Sequence, residues 1–299
     1  MFFCYKCHNP ILNNELFHGL HQDCFHTWFK TTPEINFTDI VLKKDETSLE
    51  SKFPSLHTSF FQGKFKKYSA KLGEKFYILK VQQTEYPELP LIEYLSNIIA
   101  RKLGLTVPEF YLIRFLNEAD AFVVHNFMGN YTPGNLIHIY HFLNSSDEYS
   151  VKTILKILED KVGRTEPIQQ FIFMCLFDAL IGNQYRHGRN IGLIETNKGY
   201  ILAPFYDNPS YIGIEDYNLL LAEHNPRGKI ATSLTLDPTL KDYLLEFENL
   251  GYHSIILDFI KKFQGVNFEE IINTFPLSEK RKFAFLYLID RRKKELQIV

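Results

Sequence analysis

The spacing of apolar and polar residues changes near residue 130, and the change predicts two kinds of structure. Before it, short runs rich in aromatic and β-branched residues predict strands at 64–72, 76–81, 110–115 and 121–127. A helix at 91–103 lies among them and ends at Gly104. After Pro133, apolar residues recur at helical spacing, which predicts helices at 151–162, 168–181, 240–250 and 279–296.

These patterns predict an α+β fold with two lobes. Residues 31–130 would form a small strand-rich N-lobe, whose folded part begins near Leu56 after a polar linker. Residues 131–299 would form a larger helical C-lobe, and residues 1–30 a separate Cys/His segment. A cleft between two such lobes is a typical place for a ligand.

Length, composition and charge narrow the class of protein. The 299 residues are 45% hydrophobic, which is enough for a substantial core, and no apolar run is long enough to cross a bilayer. The first residues, MFFCYKCHNP, lack the basic flank and the small-residue cleavage site of a signal peptide. The net charge is −2, so no overall basic field would attract nucleic acid. We therefore expect a cytoplasmic protein that binds neither a membrane nor nucleic acid directly.

Three of the four cysteines lie in the first 24 residues, at a spacing typical of metal ligands. Two cysteines two residues apart are followed, after thirteen residues, by a histidine and a third cysteine, which is a plausible tetrahedral zinc pattern. The four candidate zinc ligands are Cys4, Cys7, His21 and Cys24, with His18 and His26 as alternatives. The other possibility is a reduced segment that binds nothing. The fourth cysteine, Cys175, lies on an apolar helical stripe and is predicted to be core.

The segment 176–193, LFDALIGNQYRHGRNIGL, predicts an apolar helix, a polar loop and a short apolar strand. Protein kinases use such a loop, in which an Asp accepts the substrate hydroxyl proton and an Asn five residues later holds magnesium. Asn190 fits the Asn, and Tyr185 stands five residues before it. A strand at 200–205 then leads to Asp207, which fits a second magnesium ligand, since Mg²⁺ prefers oxygen ligands.

A lysine stands among apolar residues in the predicted strand YILKV at 77–81, and a helix with a glutamate follows. Kinases pair such a strand lysine with a helix glutamate to orient the nucleotide phosphates, roles that Lys80 and Glu93 fit. Taken alone, a lysine on a strand is more typical of a surface residue. The order Lys, Glu, Asn and Asp along the chain is what favours the kinase interpretation.

Three segments in this order resemble motifs of the HipA family of bacterial serine/threonine kinases: YPELP at 86–90, GNQYRHGRN at 182–190 and LAPFYD at 202–207. The likeness covers residues 55–299 and is greatest to the shorter HipT branch, the toxin of HipBST toxin-antitoxin modules. The resemblance implies a two-lobed kinase fold, ATP and Mg²⁺ as cofactors, autophosphorylation, and transfer of phosphate to a protein hydroxyl. It also implies HipS-like and HipB-like partners and an aminoacyl-tRNA synthetase as a possible substrate.

The resemblance further assigns two segments to the nucleotide. TSFFQGKFKKYS at 58–69 would be the phosphate-covering loop, although His57 and Phe60 depart from the usual serine and glycine. VHNF at 124–127 would be the hinge that meets the adenine. The residues so implied are Ser59 as the autophosphorylated serine, Gln62, Gly63 and Lys64 in the phosphate loop, and His125 and Phe127 at the hinge.

Tyr185 stands where the family carries its catalytic aspartate. A phenol has an ordinary pKa of about 10, so at neutral pH it is a poor proton acceptor, and we expect nucleotide binding with severely reduced phosphoryl transfer. Three explanations are open: a silenced toxic kinase, a natural pseudokinase, or another loop alignment in which a different carboxylate serves. The nearest such acid, Asp178, lies in an apolar helical run, which favours a buried structural role.

His187 could act as a general base, but its place resembles the family histidine that packs beneath the loop and holds it by hydrogen bonds. The leading hypothesis is a HipT-like protein kinase that is impaired in this form. The alternatives are a nucleotide-binding pseudokinase that docks a partner and a phosphotransferase for a small molecule.

Overall fold

The computed structural model of the chain describes residues 2–12, 15–43, 67–144, 148–163, 165–220 and 228–296. The chain divides into two compact units. The first consists of Met1–Tyr94 and Pro108–Asn130, and the second of Leu95–Val107 and Tyr131–Val299. Residues 95–107, predicted as part of the N-lobe, therefore belong to the second unit, and residues 1–30 belong to the first unit instead of standing apart.

The first unit is built on a five-stranded antiparallel sheet with a small hairpin and a helix at its N-terminal end. The sheet has the spatial order β3-β4-β5-β7-β6. The elements are β1 Phe2–Phe3, β2 Pro10–Ile11, α1 Gln22–Phe29, β3 Phe37–Lys43, β4 Lys67–Leu72, β5 Lys75–Val81, β6 Phe110–Phe115 and β7 Ala119–His125.

The expectation that the folded part begins near Leu56 is wrong. Strand β3 lies in the segment that the sequence predicted as a linker, and it pairs with β4 along one edge of the sheet. The register shifts between Thr38 and Val41, where Asp39 has a left-handed backbone with φ 49°. A bulge of this kind interrupts the two-residue alternation by which a strand is recognised.

The N-terminal segment packs on one face of the sheet and forms the core of the first unit. On β5, alternate side chains point to opposite faces, and Tyr77 and Leu79 join this core while the side chain of Lys80 points to the other face. Buried members include Cys4, Leu20, Phe25, Phe29, Tyr77, Leu79, Tyr111 and Ile113. The ring of Phe29 stacks on that of Tyr111 with centroids 4.0 Å apart.

The second unit is mainly helical, with a three-stranded antiparallel sheet in the order β10-β9-β8. Its central helix is buried on all sides from Phe171 to Ile181 and includes Cys175, which confirms the core prediction for that cysteine. The elements are α2 Leu89–Lys102, which begins in the first unit, β8 Asn135–His138, α3 Val151–Lys161, α4 Thr165–Ile181, β9 Gly192–Thr196, β10 Gly199–Leu202, α5 Tyr217–Leu220, α6 Leu240–Asn249, α7 His253–Gln264, α8 Phe268–Asn273 and α9 Glu279–Leu296.

The predicted helices and strands are confirmed in type, with boundaries that move by a few residues. Helix α2 ends at Lys102, and Gly104 adopts a left-handed φ of 84°, as the sequence predicts for a helix terminus. The beginning of the first predicted strand, 64–66, lies outside the described residues. Within the described part of the chain, no helix combines the length and the apolar character needed to cross a membrane.

Candidate active site

Lys80 and Glu93 form a buried ion pair in the first unit. Lys80 Nζ donates to Glu93 Oε1, and the two side chains are only 7% and 2% exposed. The ammonium also lies 5.8 Å from the centre of the Phe122 ring. The interpretation of Lys80 as a surface residue is therefore wrong. Side chains alternate between the two faces of β5, which directs Lys80 away from the core, and Glu93 reaches it from the first turns of α2.

In the second unit, the loop that follows α4 is built around a fully buried arginine, Arg186. Its Nε and Nη2 donate to the two carboxylate oxygens of Asp178 at 2.7 and 3.0 Å. Its Nη1 donates to the carbonyl oxygens of Asn190 at 3.2 Å and Tyr206 at 2.7 Å, and its Nη2 also donates to Asn208 Oδ1 at 2.5 Å. One guanidinium thus joins the predicted catalytic loop to the predicted metal-binding segment.

Asp207 stands between the two residues of the metal-binding segment that Arg186 holds. It is half-buried, and its backbone is left-handed with φ 53°, a conformation that Asp tolerates better than most residues. The next residue, Asn208, is buried and also donates to Asn97 Oδ1 at 2.9 Å. These contacts hold the backbone carbonyl of Tyr206 and the side chain of Asn208, the residues on either side of Asp207.

The charges around Arg186 favour its ionised form. Burial by itself would lower the pKa of the guanidinium, but the charge and hydrogen bonds of Asp178 offset this, and the pKa is raised. Burial raises the pKa of the Tyr206 hydroxyl, and the nearby charge of Asp207 raises it further. Asp178 also accepts from Asn183 Nδ2 at 2.9 Å, which confirms the buried structural role predicted for this acid.

Asn190 is buried, and its amide is oriented by the loop itself. Its Nδ2 donates to the carbonyl oxygen of Tyr185 at 3.0 Å, while its backbone carbonyl accepts from Arg186. The donor end of the amide therefore points back into the loop. Its oxygen is the end that could meet a cation, and Mg²⁺ prefers such ligands.

Tyr185 has a fixed backbone and an exposed side chain. Its N–H donates to Asn183 Oδ1 at 3.0 Å, and its carbonyl accepts from His187 N–H at 2.9 Å as well as from Asn190. The side chain is 40% exposed. These hydrogen bonds orient the main chain at this position.

His187 does not pack beneath the loop as the resemblance suggested. It is exposed, and its Nδ1 accepts from Arg189 N–H at 3.3 Å. The buried position belongs to the preceding residue, Arg186, which sequence reasoning missed together with Asn208. A signal for Arg186 was available, because an aspartate in the apolar helical run LFDALI needs a buried cationic partner.

The residues assigned to the nucleotide by resemblance are only partly described. His125 and Phe127 are both buried, and His125 N–H donates to Glu109 O at 2.8 Å. Burial and the charge of Lys75 lower the pKa of His125. Four further residues lie outside the described residues, and their roles stay predictions: Ser59, Gln62, Gly63 and Lys64.

The cysteine and histidine side chains predicted as zinc ligands lie together in the first unit. The candidate ligand atoms of Cys4, Cys7, His21 and Cys24 are all within 4.8 Å of one another.

Comparison with known proteins identifies the family. The model of the HipA-like C-terminal domain matches residues 51–255, which is more than half of the chain. The chain belongs to this family of HipA-like proteins. A curated relative, the candidate kinase Y4dM of Sinorhizobium fredii, is 26% identical over 151 residues, which cover 44% of this chain and 36% of the relative.

Two solved structures share the fold. The proinflammatory kinase CtkA of Helicobacter pylori superposes with a TM-score of 0.62 at 19% identity, over 78% of this chain and 92% of that one. HipA of Shewanella oneidensis MR-1, solved with HipB and operator DNA, gives a TM-score of 0.57 at 16% identity, over 87% of this chain and 72% of that one. The fold is therefore the kinase-like fold of HipA and CtkA.

Proposed function

We propose that this HipA-like protein is a HipT-like serine/threonine kinase by descent, which binds ATP and Mg²⁺ but transfers phosphate poorly. The observation that carries the proposal is the Arg186 network, which holds the backbone carbonyls of Asn190 and Tyr206 and the side chain of Asn208, the two neighbours of Asp207 among them. In this proposal Asn190 and Asp207 supply oxygen ligands to Mg²⁺, and the buried Lys80–Glu93 pair meets phosphate charge.

Tyr185 accounts for the proposed loss of transfer. A positioned general base contributes about 10²–10⁴-fold to a rate, and a phenol at this position cannot accept the hydroxyl proton as a carboxylate does. Asp178, the other acid considered, is fully committed to Arg186 and Asn183. This commitment argues against another loop alignment in which Asp178 serves as the base.

The first prediction concerns restoration of the base. Tyr185→Asp is expected to raise transfer of the γ-phosphate from labelled ATP, in the presence of Mg²⁺, by at least about 10²-fold, the lower bound for a general base. Incorporation of label into the chain measures autophosphorylation, and mass spectrometry locates the phosphate, which is expected on Ser59.

Tyr185→Asn is the matched control, because it shortens the side chain to the size of Asp without providing a base. It is expected to bind nucleotide and to remain as inactive as the parent. If Tyr185→Asp binds nucleotide and is equally inert, the placement of the catalytic loop is wrong. A parent that binds nucleotide and transfers nothing, but gains transfer in the Tyr185→Asp form, would favour the pseudokinase alternative over a weakly active kinase.

Partner and substrate proposals depend on the family alone. The related HipA of known structure was solved with HipB and operator DNA, which supports a HipB-like partner here, with any DNA contact made through that partner. A HipS-like partner and an aminoacyl-tRNA synthetase substrate follow only from the likeness to HipT. Label transfer by the Tyr185→Asp form to a purified synthetase, compared with transfer to a metabolite mixture, separates a protein kinase from a small-molecule phosphotransferase.

A further inference from the structure

Outside the candidate active site, the N-terminal segment brings together three thiols and one imidazole. We propose that Cys4, Cys7, His21 and Cys24 hold one structural zinc ion that fastens this segment to the sheet of the first unit. Nothing in the kinase chemistry requires these residues, and they lie before residue 51, where the family match begins.

The spacing of the candidate ligand atoms suits a tetrahedral ion. Zinc–sulfur and zinc–nitrogen bonds of roughly 2.3 and 2.0 Å place neighbouring ligand atoms of a tetrahedron roughly 3.5–3.8 Å apart. His21 Nδ1 lies 3.4 Å from Cys7 Sγ and 3.9 Å from Cys24 Sγ, and all four ligand atoms lie within 4.8 Å of one another. Small shifts would therefore bring all four to bonding distance of one ion.

The orientation of His21 is the strongest sign of a metal site. Its Nε2 lies 3.1 Å from the carbonyl oxygen of Pro10. A carbonyl can only accept, so Nε2 carries the hydrogen, and Nδ1 of the neutral ring presents its lone pair to the cysteines. Metal-binding histidines almost always donate their other ring N–H to a carbonyl or carboxylate in this way.

The alternative histidines are engaged elsewhere. His18 Nε2 lies 2.9 Å from Asn36 Oδ1, and its Nδ1 accepts from Leu116 N–H at 3.3 Å. His26 Nδ1 lies 2.9 Å from the Thr31 hydroxyl. Among the histidines proposed from the sequence, only His21 stands in the cluster.

The ligands come from two separate elements. Cys4 and Cys7 lie in the turn of the β1–β2 hairpin, where Cys4 N–H donates to Asn9 O and His8 N–H donates to Cys4 O. His21 immediately precedes α1, and Cys24 lies in its first turn. The hairpin and the helix are short, separate elements, so an ion that joins them would supply folding free energy in addition to that of the buried core.

A zinc ion at this place would have a structural role. Protein side chains supply all four ligands, which is typical of structural sites, because catalytic sites keep an open position. The segment packs on the same face of the sheet as Tyr77 and Leu79 of β5, the strand that carries Lys80. The ion would therefore support the strand of the proposed phosphate-binding lysine from the opposite face.

Metal content of the full chain tests the proposal. Chain purified under reducing conditions and then offered zinc is expected to retain about one zinc per chain after desalting, by inductively coupled plasma mass spectrometry. His21→Asn and Cys24→Ser are expected to lower the retained zinc at least tenfold. His8→Asn, which changes an exposed histidine in the same segment, is expected to retain it.

A second measurement uses the parent chain, so it does not depend on whether the variants fold. Chelation of zinc from the parent chain is expected to lower its melting temperature and shift the fluorescence of Trp28, the single tryptophan, which packs against Tyr111 in the first unit. Added zinc should reverse both changes. Retention of less than a tenth of an equivalent of zinc by the reduced parent, iron in place of zinc, or equal retention by parent and His21→Asn would overturn the proposal.

Discussion

At the scale of single residues, the candidate site depends most on Arg186, a residue for which the sequence predicted no role. Arg186 makes hydrogen bonds to Asp178, Asn190, Tyr206 and Asn208 without any exposure to solvent. Lysine would keep the charge but not the planar fork of donors, so the two residues are not equivalent at this position.

Arg186→Lys is expected to lower the free energy of unfolding of the second unit by roughly 2 kcal/mol or more, because each hydrogen bond lost by a buried charged group is worth about 1.5–3 kcal/mol. Denaturant unfolding followed by far-ultraviolet circular dichroism measures the change. The matched control is Arg189→Lys, an exposed position in the same loop, where we expect a change within about 0.5 kcal/mol. Equal effects of the two substitutions would show that the buried network does not stabilise the unit.

At the scale of elements, periodicity predicts five of the longer helices and most strands of the described chain, but it missed α7 and the strands whose periodic pattern is short or interrupted. Helix α4 is recognised from its apolar run and α9 from its helical spacing. Strand β3 was missed because a bulge near Asp39 breaks its alternation, and β8 because four residues are too few for a pattern. The loop motif identified Asn190 and Tyr185, but side-chain burial at Arg186 depends on packing that spacing does not encode.

Strand β7 carries a pH-sensitive contribution to stability. Burial, with the charge of Lys75, lowers the pKa of His125, while Glu109 acts in the opposite direction. The unfolded chain takes up a proton near its ordinary pKa of about 6.5, whereas folded His125 stays neutral to lower pH. Stability of the first unit should therefore fall as the pH falls below about 6.5, by at most about 1.4 kcal/mol per pH unit for this group.

His125→Gln is expected to flatten this part of the pH profile, and unfolding monitored by Trp28 fluorescence measures it. Exposed His141→Gln serves as the control and should leave the slope unchanged. Subtraction of the His141→Gln profile from the His125→Gln profile removes contributions to stability that both variants share, including acid release of a bound metal. An unchanged slope in His125→Gln would mean that His125 titrates alike in the folded and unfolded chains.

At the scale of the whole molecule, each unit carries its own part of the proposed nucleotide chemistry. The first holds Lys80 against Glu93, and the second holds Asn190 and Asp207 by way of Arg186. The hydrogen bonds described for Tyr185 involve its backbone N–H and carbonyl, and we expect binding and transfer to be separable by substitution at this position.

Nucleotide binding should persist in the parent chain and depend on both sets of residues. Addition of ATP with Mg²⁺ is expected to raise the melting temperature, because a ligand that binds only the folded state stabilises it, by about 2.7 kcal/mol at a concentration of 100 Kd. Asp207→Asn, and the double substitution Lys80→Met with Glu93→Gln, are each expected to weaken affinity at least tenfold, or about 1.4 kcal/mol, in titration calorimetry.

The double substitution avoids leaving Glu93 buried without its cation. Lys75→Met, exposed on the same strand, and Asp237→Asn, exposed in the second unit, are the controls and should bind as the parent does. If the parent shows no stabilisation by ATP with Mg²⁺, both the kinase and the pseudokinase proposals fail.

The sequence by itself determined the kinds of elements, the order of the kinase-like motifs and the spacing of the cysteines, because these depend on local periodicity and on residue types at fixed intervals. Only the tertiary structure decided that Arg186, and not His187, lies beneath the loop, that Lys80 is buried with Glu93, and that Leu20, Phe25 and Phe29 join the core of the first unit. Those outcomes depend on which side chains lose their water when distant segments pack together, and sequence spacing does not specify that packing.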